Sequence, residues 1–244
     1  LGAGVFDTDK DTVETGLMDQ RTAIFRQMNV NGEDWNDTGF EDVTVGIGWR
    51  HNFDVNSNAD PEDWAQFIFT PHLRVSGVLG AGKAQDPDIL LSLPFGNNKH
   101  HAVHVNGGFT VDFHETIGLS FEGGATHFFK RTYETRIPTH ELQSVLFPYK
   151  ANVAVDPGKT WHMSVEMNAQ NFIDKLSIYI NYSYVNHLKD TINLVTPNDD
   201  FIPSRLEDQT NFKAQMAMVG LNYDIAPNAT IGFSWQAPIA QRAS

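Results

Sequence analysis

Residues able to do chemistry are scattered along this 244-residue chain, and their spacing argues against catalysis in most cases. His162, Ser164 and Glu166 alternate with Trp161, Met163 and Val165, as polar side chains sharing one face of a strand would. Neighbours two apart on a strand are separated by roughly 6.5–7 Å, too far for a direct hydrogen bond between base and nucleophile. They read as a polar row. Gly77-Val-Leu-Gly-Ala-Gly82-Lys83-Ala84 has phosphate-loop spacing, but Ala84 replaces the hydroxyl that would hold magnesium and Gln85-Asp86-Pro87 starts no helix. Asp54-x-Asn56-x-Asn58-x-Asp60 offers oxygen ligands at alternate positions, as a calcium loop does, with Ala59 and Ala65 in place of the required Gly and Glu. Calcium is the one cofactor these residues suggest, and polar turn residues are the simpler account. His140-Glu141 lacks the second histidine of a zinc-protease helix, and in His100-His101-x-x-His104 the residues His101 and His104 point to opposite faces of a strand. No catalytic residue is expected, and the chain reads as a non-enzyme.

Composition narrows the classes further. The formal net charge of −13 lacks the basic footprint that a nucleic-acid partner or an anionic lipid surface requires. Without cysteine there is no thiolate catalysis and no disulfide. Hydrophobic residues make up 41%, yet no run approaches the ~18 apolar residues of a membrane-spanning helix. No basic-plus-apolar leader opens the sequence, so a signal peptide is expected to have been removed or never present.

The elements that would position these side chains follow a period of two. In Ala65–Val78, Phe67, Phe69, Leu73 and Val75 oppose Thr70, His72, Arg74 and Ser76. The same alternation marks Val43–Trp49, His101–Phe113, Thr116–Lys130, Lys159–Phe172, Leu176–Tyr184, Asn211–Ile225 and Ala229–Ile239. Gln20–Val30 and Leu1–Phe6 are further strand candidates, although Thr15–Met28 carries the best helical period. A change of phase near Met216–Val219 predicts a bulge there. Short turns at His114-Glu115, Ile173–Lys175 and Ala226-Pro227-Asn228 alternate with long segments at 80–100, 131–158 and 186–210. The whole of 1–244 therefore reads as one domain, with 1–39 the least defined part.

The strands run to on the order of 11–14 residues, against ~5–6 in globular proteins and the ~9–11 that cross a membrane. Phe113, Phe172 and Tyr223 stand at their turn ends, and Trp161, Tyr184 and Phe129 toward the other, like interfacial girdles. On this pattern the chain resembles bacterial outer-membrane β-barrels of the porin type. Thr230-Ile-Gly-Phe-Ser-Trp235 is similar to the last strand of that family, which ordinarily ends on an aromatic residue, whereas this chain continues through Pro238 to Ser244. The resemblance implies an antiparallel transmembrane barrel of about 10–12 strands in the outer membrane, with short turns on one rim and long loops on the other. With its short turns toward the periplasm, the last strand runs outward, opposite to the family. The implied partner is the lipid bilayer, with a homo-oligomer such as a trimer as a further one. The implied activity is passive diffusion of small hydrophilic solutes or ions through a lumen lined by His72, Arg74, His104, Asp112, Glu122, His162, Glu166 and Gln170, with a mild cation preference. Two other readings stand beside it: a non-conducting barrel whose long loops bind partners or neighbouring subunits, for which 131–158 is unusually apolar, and a soluble β-sandwich binding module.

Overall fold

The computed structural model describes residues 38–56, 67–89, 92–113, 116–143, 147–173, 175–226 and 229–243, together with Ala23, Phe25, Arg26, Met28 and Asn31. The described strands are β1 (Val43–Arg50), β2 (Phe53–Val55), β3 (Phe67–Leu79), β4 (Ala102–Phe113), β5 (Ile117–Phe128), β6 (Arg131–Ile137), β7 (Tyr149–Asp156), β8 (Thr160–Ile173), β9 (Leu176–His187), β10 (Thr191–Leu194), β11 (Phe212–Ala226) and β12 (Ala229–Ala243). A five-residue helix, α1 (Pro203–Glu207), lies between β10 and β11. The molecule is all-β, as the alternation predicts.

One antiparallel sheet has the order β1-β3-β4-β5-β8-β9-β11-β12, with β2 continuing the line of β1 along β3. Among the described residues it is open, since β1 and β12 are its edges and do not pair with each other. Every strand places its apolar set on the same face. There Phe67 meets Phe113, Phe69 meets Phe109, Phe109 meets Phe121 and Trp161 meets Tyr184, at ring separations of 4.9–5.9 Å. These aromatic cross-strand pairs add to the β-propensity of the Val and Ile around them.

The two faces differ in shelter. On the apolar face Ile47 is 78% and Phe233 67% exposed, whereas on the polar face Thr70 and Ser76 are 2% and 5% exposed. A flat sheet would expose the larger side chains and the smaller ones alike. Inner-strand residues show the same difference, Phe109 and Phe121 being 40% and Val165 47% exposed, as in a sheet that curls toward its polar side. Glycines make room for that: a Cβ at Gly124 would stand 2.6 Å from His162 Cε1 and 2.8 Å from Asn106 Cβ.

The segments expected as long loops at 131–158 and 186–210 are instead partly folded. β6, β7 and β10 form a second, three-stranded sheet in the order β10-β7-β6. Its core is Ile137, Val153, Val155 and Ile192, with Tyr133, Leu194, Phe201 and Leu206 packed against it. Ile137 and Val153 are fully buried. Part of the apolar character of 131–158 goes into this core, through Ile137, Val153 and Val155, while Leu142 and Tyr149 are exposed.

Connections to this second sheet, and the 80–100 segment, all leave the same end of the large sheet. At the opposite end Phe113 pairs with Ile117, Ile173 with Leu176 and Ala226 with Ala229 across short turns. The residues His114, Glu115, Asp174, Pro227 and Asn228 in those turns lie outside the described ones. β12 runs from the turn end to the other end, where Ala243 pairs with Phe212, the direction expected from the sequence.

Two expectations are corrected. In Gln20–Val30 the described residues Ala23, Phe25 and Arg26 are helical, the period of Thr15–Met28 having prevailed; Leu1–Phe6 lies outside the described residues. The last hairpin does change register beside Met216, but the extra residue there lies in the second arm, and a second break near the turn leaves Ile225 of the first arm unpaired. Gln215 pairs with Ala240 and Met216 with Pro238, leaving Ile239 as the extra residue, while β11 stays in register with β9 throughout. The phase change read at Met216–Val219 arises because Met216 and Met218 occupy polar-face positions opposite Ser183 and Asn181.

Candidate functional site

Register places the polar-face residues in rows across the strands. Arg74, Asn106, Gly124 and His162 are successive cross-strand partners, and the next row holds Arg50, His72, Gly108, Glu122 and Ser164. Toward the turns follow Thr70, Thr110, Ser120, Glu166 and Asn181, then Asp54, Ile68, Asp112, Gly118, Asn168 and Tyr179. All eight residues singled out from the sequence, His72, Arg74, His104, Asp112, Glu122, His162, Glu166 and Gln170, thus belong to strands of one sheet and to one face of it.

Five of them form a cluster. The Glu122 carboxylate lies 3.3 Å from His72 Nε2 through one oxygen and 3.7 Å from His162 Nε2 through the other. The His162 ring stacks on His104 with centroids 5.4 Å apart and planes 12° from parallel, and His104 Nδ1 is 2.8 Å from Thr126 Oγ1. Arg74 completes the group as a charge acting on His104. Two strands separate the His72 and His162 backbones, so it is the glutamate between them that makes the cluster continuous. Among the described residues no three His, Asp or Glu side chains are placed to hold a metal ion.

Nearer the turns, Glu166 accepts a hydrogen bond from Asn181 Nδ2 at 3.2 Å. Glu166 and Gln170 line a cavity of about 330 Å³ with Asn168, Ser177, Tyr179 and Asn222. Sequence reading missed Tyr179, which as an aromatic passes for a member of the apolar set; its position midway between Ser177 and Asn181 was the available signal. Asp112 lies by the same floor, its Oδ1 2.8 Å from where a Gly118 Cβ would stand. Of the calcium candidates, Asp54 is exposed in β2 and Asn56 takes a left-handed φ of 56°, while Asn58 and Asp60 lie outside the described residues.

The other end of the sheet carries a braced rim. Asp42 accepts from Gly82 N at 3.0 Å and Asn97 N at 2.6 Å, tying down the glycine-rich segment. Gly80 N donates to His101 Nδ1 at 3.0 Å, so the phosphate-loop look-alike spends these amides internally. Arg136 donates to the carbonyls of Pro87, Met28, Phe147 and Pro148. Burial pushes its guanidinium below the usual arginine range, against the pull of Asp88 and Glu134. Lys150 Nζ bonds Asp88 Oδ1 at 2.7 Å, which raises the ammonium's pKa. Across the 186–210 segment, Lys189 Nζ bonds Asp208 Oδ1 at 2.7 Å, holding that carboxyl below its ordinary value and the lysine above its own.

The arrangement can orient water, ions and small polar solutes along a sheltered polar surface. His162 and Ser164 stand side by side on β8 with His162 engaged by Glu122 and His104. No family model matches the chain, and no curated protein matches it.

Proposed function

We propose that this chain is a bacterial outer-membrane channel of porin-like type, which lets small hydrophilic solutes or ions diffuse passively through a polar interior. One observation carries the reading. An apolar face continues across eight strands with none of the described residues laid over it, from Val45 (66% exposed) on β1 to Ile231 (63% exposed) on β12, while the polar face is the sheltered one. In water such a face would be a severe aggregation liability; in hydrocarbon it is the required surface. No described helix is long and apolar enough to cross a membrane, so the strands would do so. The same observation weighs against a soluble sandwich, whose apolar face needs a covering sheet. Here the second sheet is built around its own core.

Selectivity follows from the polar-face charges. Asp54, Asp112, Glu122, Glu166 and Asp224 outnumber Arg50 and Arg74, so cations are favoured when the histidines are neutral. Fractionation with outer membranes, a heat-modifiable gel mobility and ion conductance in planar bilayers are the expected results. Recovery in the soluble fraction sinks the membrane reading.

The braced rim favours a second reading, a non-conducting barrel that presents a folded platform to partners or to copies of itself. Insertion into bilayers without conductance would select it.

A further inference from the structure

We propose that the turn-side end of the polar face binds a neutral polyhydroxylated solute of monosaccharide size. The proposal deepens the channel reading and rests on it for access, because the solute would reach the site through the polar interior.

The site is the cavity of about 330 Å³ between β8, β9 and β11. That volume is at the lower end for small-molecule sites, enough for one sugar ring and little more. One wall is the ring of Tyr179. Tyr179 on β9 pairs with Gly220 on β11, and a Cβ at Gly220 would stand 2.0 Å from Tyr179 Cε1 and 2.2 Å from Cζ. Glycine at 220 thus leaves room for the edge of the ring to lean over the neighbouring strand. Asn168 similarly lies over Gly118, and Asn222 stands 2.5 Å from where a Gly232 Cβ would be.

Around this ring stand Asn168, Gln170 and Asn222, whose side-chain amides each carry both a donor and an acceptor. Vicinal hydroxyls make the same double demand, while the C–H face of a pyranose suits an aromatic face. Among the described residues Glu166 is the one acidic side chain of the lining, and it accepts a hydrogen bond from Asn181. Among the described residues no cationic side chain lines the cavity, so a phosphate or a sugar acid finds no counter-charge there. A metal cation would have Glu166 in the lining and Asp112 beside Asn168, too few carboxylates for a hard-cation site.

The test uses the full chain refolded in detergent micelles, with D-glucose as probe and D-glucuronate as its charged counterpart. Saturation-transfer NMR and titration calorimetry should give a glucose Kd on the order of 1–10 mM. Glucuronate should bind at least roughly tenfold more weakly, a difference of about 1.4 kcal/mol. Tyr179→Phe should keep the affinity and Tyr179→Ala lose it at least tenfold; Gln170→Ala, at the cavity margin, gives a second loss if Tyr179→Ala does not fold. Glucose that shows no binding to the wild type, or equal binding to Tyr179→Ala, overturns the proposal. In planar bilayers glucose should add current fluctuations that Tyr179→Ala lacks. Current without any glucose effect overturns the site and leaves the channel standing. Glucose binding in micelles without current overturns the channel and leaves the site standing.

Discussion

Phe121 is the place to ask whether the apolar face meets lipid or water. It lies on β5 between Phe109, 5.9 Å away ring to ring, and Val165 on the other side, and is 40% exposed. Four residues separate it from Ile117 at the turn end, about 13 Å along the strand. At a tilt of ~40° that is about 10 Å across the bilayer, close to the middle of an apolar band ~25 Å tall. Phe121→Ala removes the ring pair and its packing in either solvent. Phe121→Arg removes the same and adds a charge, so the difference between the two isolates the cost of the charge. Near the midplane that cost is about 2–3 kcal/mol, a change of roughly 30–150-fold in the folding equilibrium, and it falls to about 0–1 kcal/mol for the Ile117→Arg and Ile117→Ala pair. Urea titrations in lipid vesicles, followed by tryptophan fluorescence, measure both pairs. An Arg–Ala difference below about 0.5 kcal/mol at both positions is what a water-exposed surface gives, and it would refute the placement of this face in hydrocarbon.

Glu122→Gln removes one of the polar-face carboxylates, so the reversal potential in a salt gradient should move toward the anion side relative to wild type; anion selectivity in the wild type itself would contradict the charge argument. Ile137→Ala opens a cavity in the fully buried heart of the rim sheet and should destabilise that sheet by about 2–5 kcal/mol. Faster amide exchange in β6, β7 and β10, with β4 and β5 unchanged, is the expected signature. Asp42→Ala strands two backbone donors, Gly82 N and Asn97 N, at a cost of about 1–3 kcal/mol, and should make the 80–100 segment the first site of limited proteolysis. The Lys189–Asp208 bond stabilises the rim over a window bounded on both sides. Asp208's folded pKa is depressed, so its contribution is present above the unfolded value near 3.8 and lost as pH falls through the lower folded value. Lys189's is raised, so its contribution is present below 10.5 and lost as pH rises through the higher folded value. Lys189→Met should therefore return the NMR-detected Asp208 midpoint upward toward 3.8.

The large sheet was legible because its two faces meet different surroundings at every second residue, and that period survives over a dozen positions in strands such as β4 and β8. The rim sheet was hidden for the opposite reason. β10 has four residues and β6 seven, too short for alternation to rise above the polar residues beside it, and Ile137 reads as the entry to a proline turn rather than as a core position. Its strands are fixed by each other: Arg131 pairs with Val155 and Thr191 with Asp156, contacts that no local pattern announces. The polar face was legible residue by residue but not as a geometry. Its histidines, carboxylates and amides could be assigned to one side of the sheet from parity alone. That His162 would lie between His104 and Glu122, or Tyr179 over Gly220, depends on which strands become neighbours.

The pairing of glycine with a large polar partner explains both the shape of the sheet and the character of the site. On the sheltered face Gly124 faces His162, Gly118 faces Asn168, Gly220 faces Tyr179 and Gly232 faces Asn222. Each pair carries one side chain where two would collide as the strands curl inward. The same substitution of one side chain for two turns the functional group sideways, along the sheet, and leaves its face or edge open to the interior. On the other face the opposite holds, and paired rings such as Phe109 and Phe121 fill the wider arc. Curvature and chemistry are thus set by the same residues, so Gly124→Val should uncurl the sheet locally and break the His104–His162 stack in one step. A variant that kept the stack, seen as unchanged imidazole ring-current shifts, would show that the glycines are not what bends this sheet.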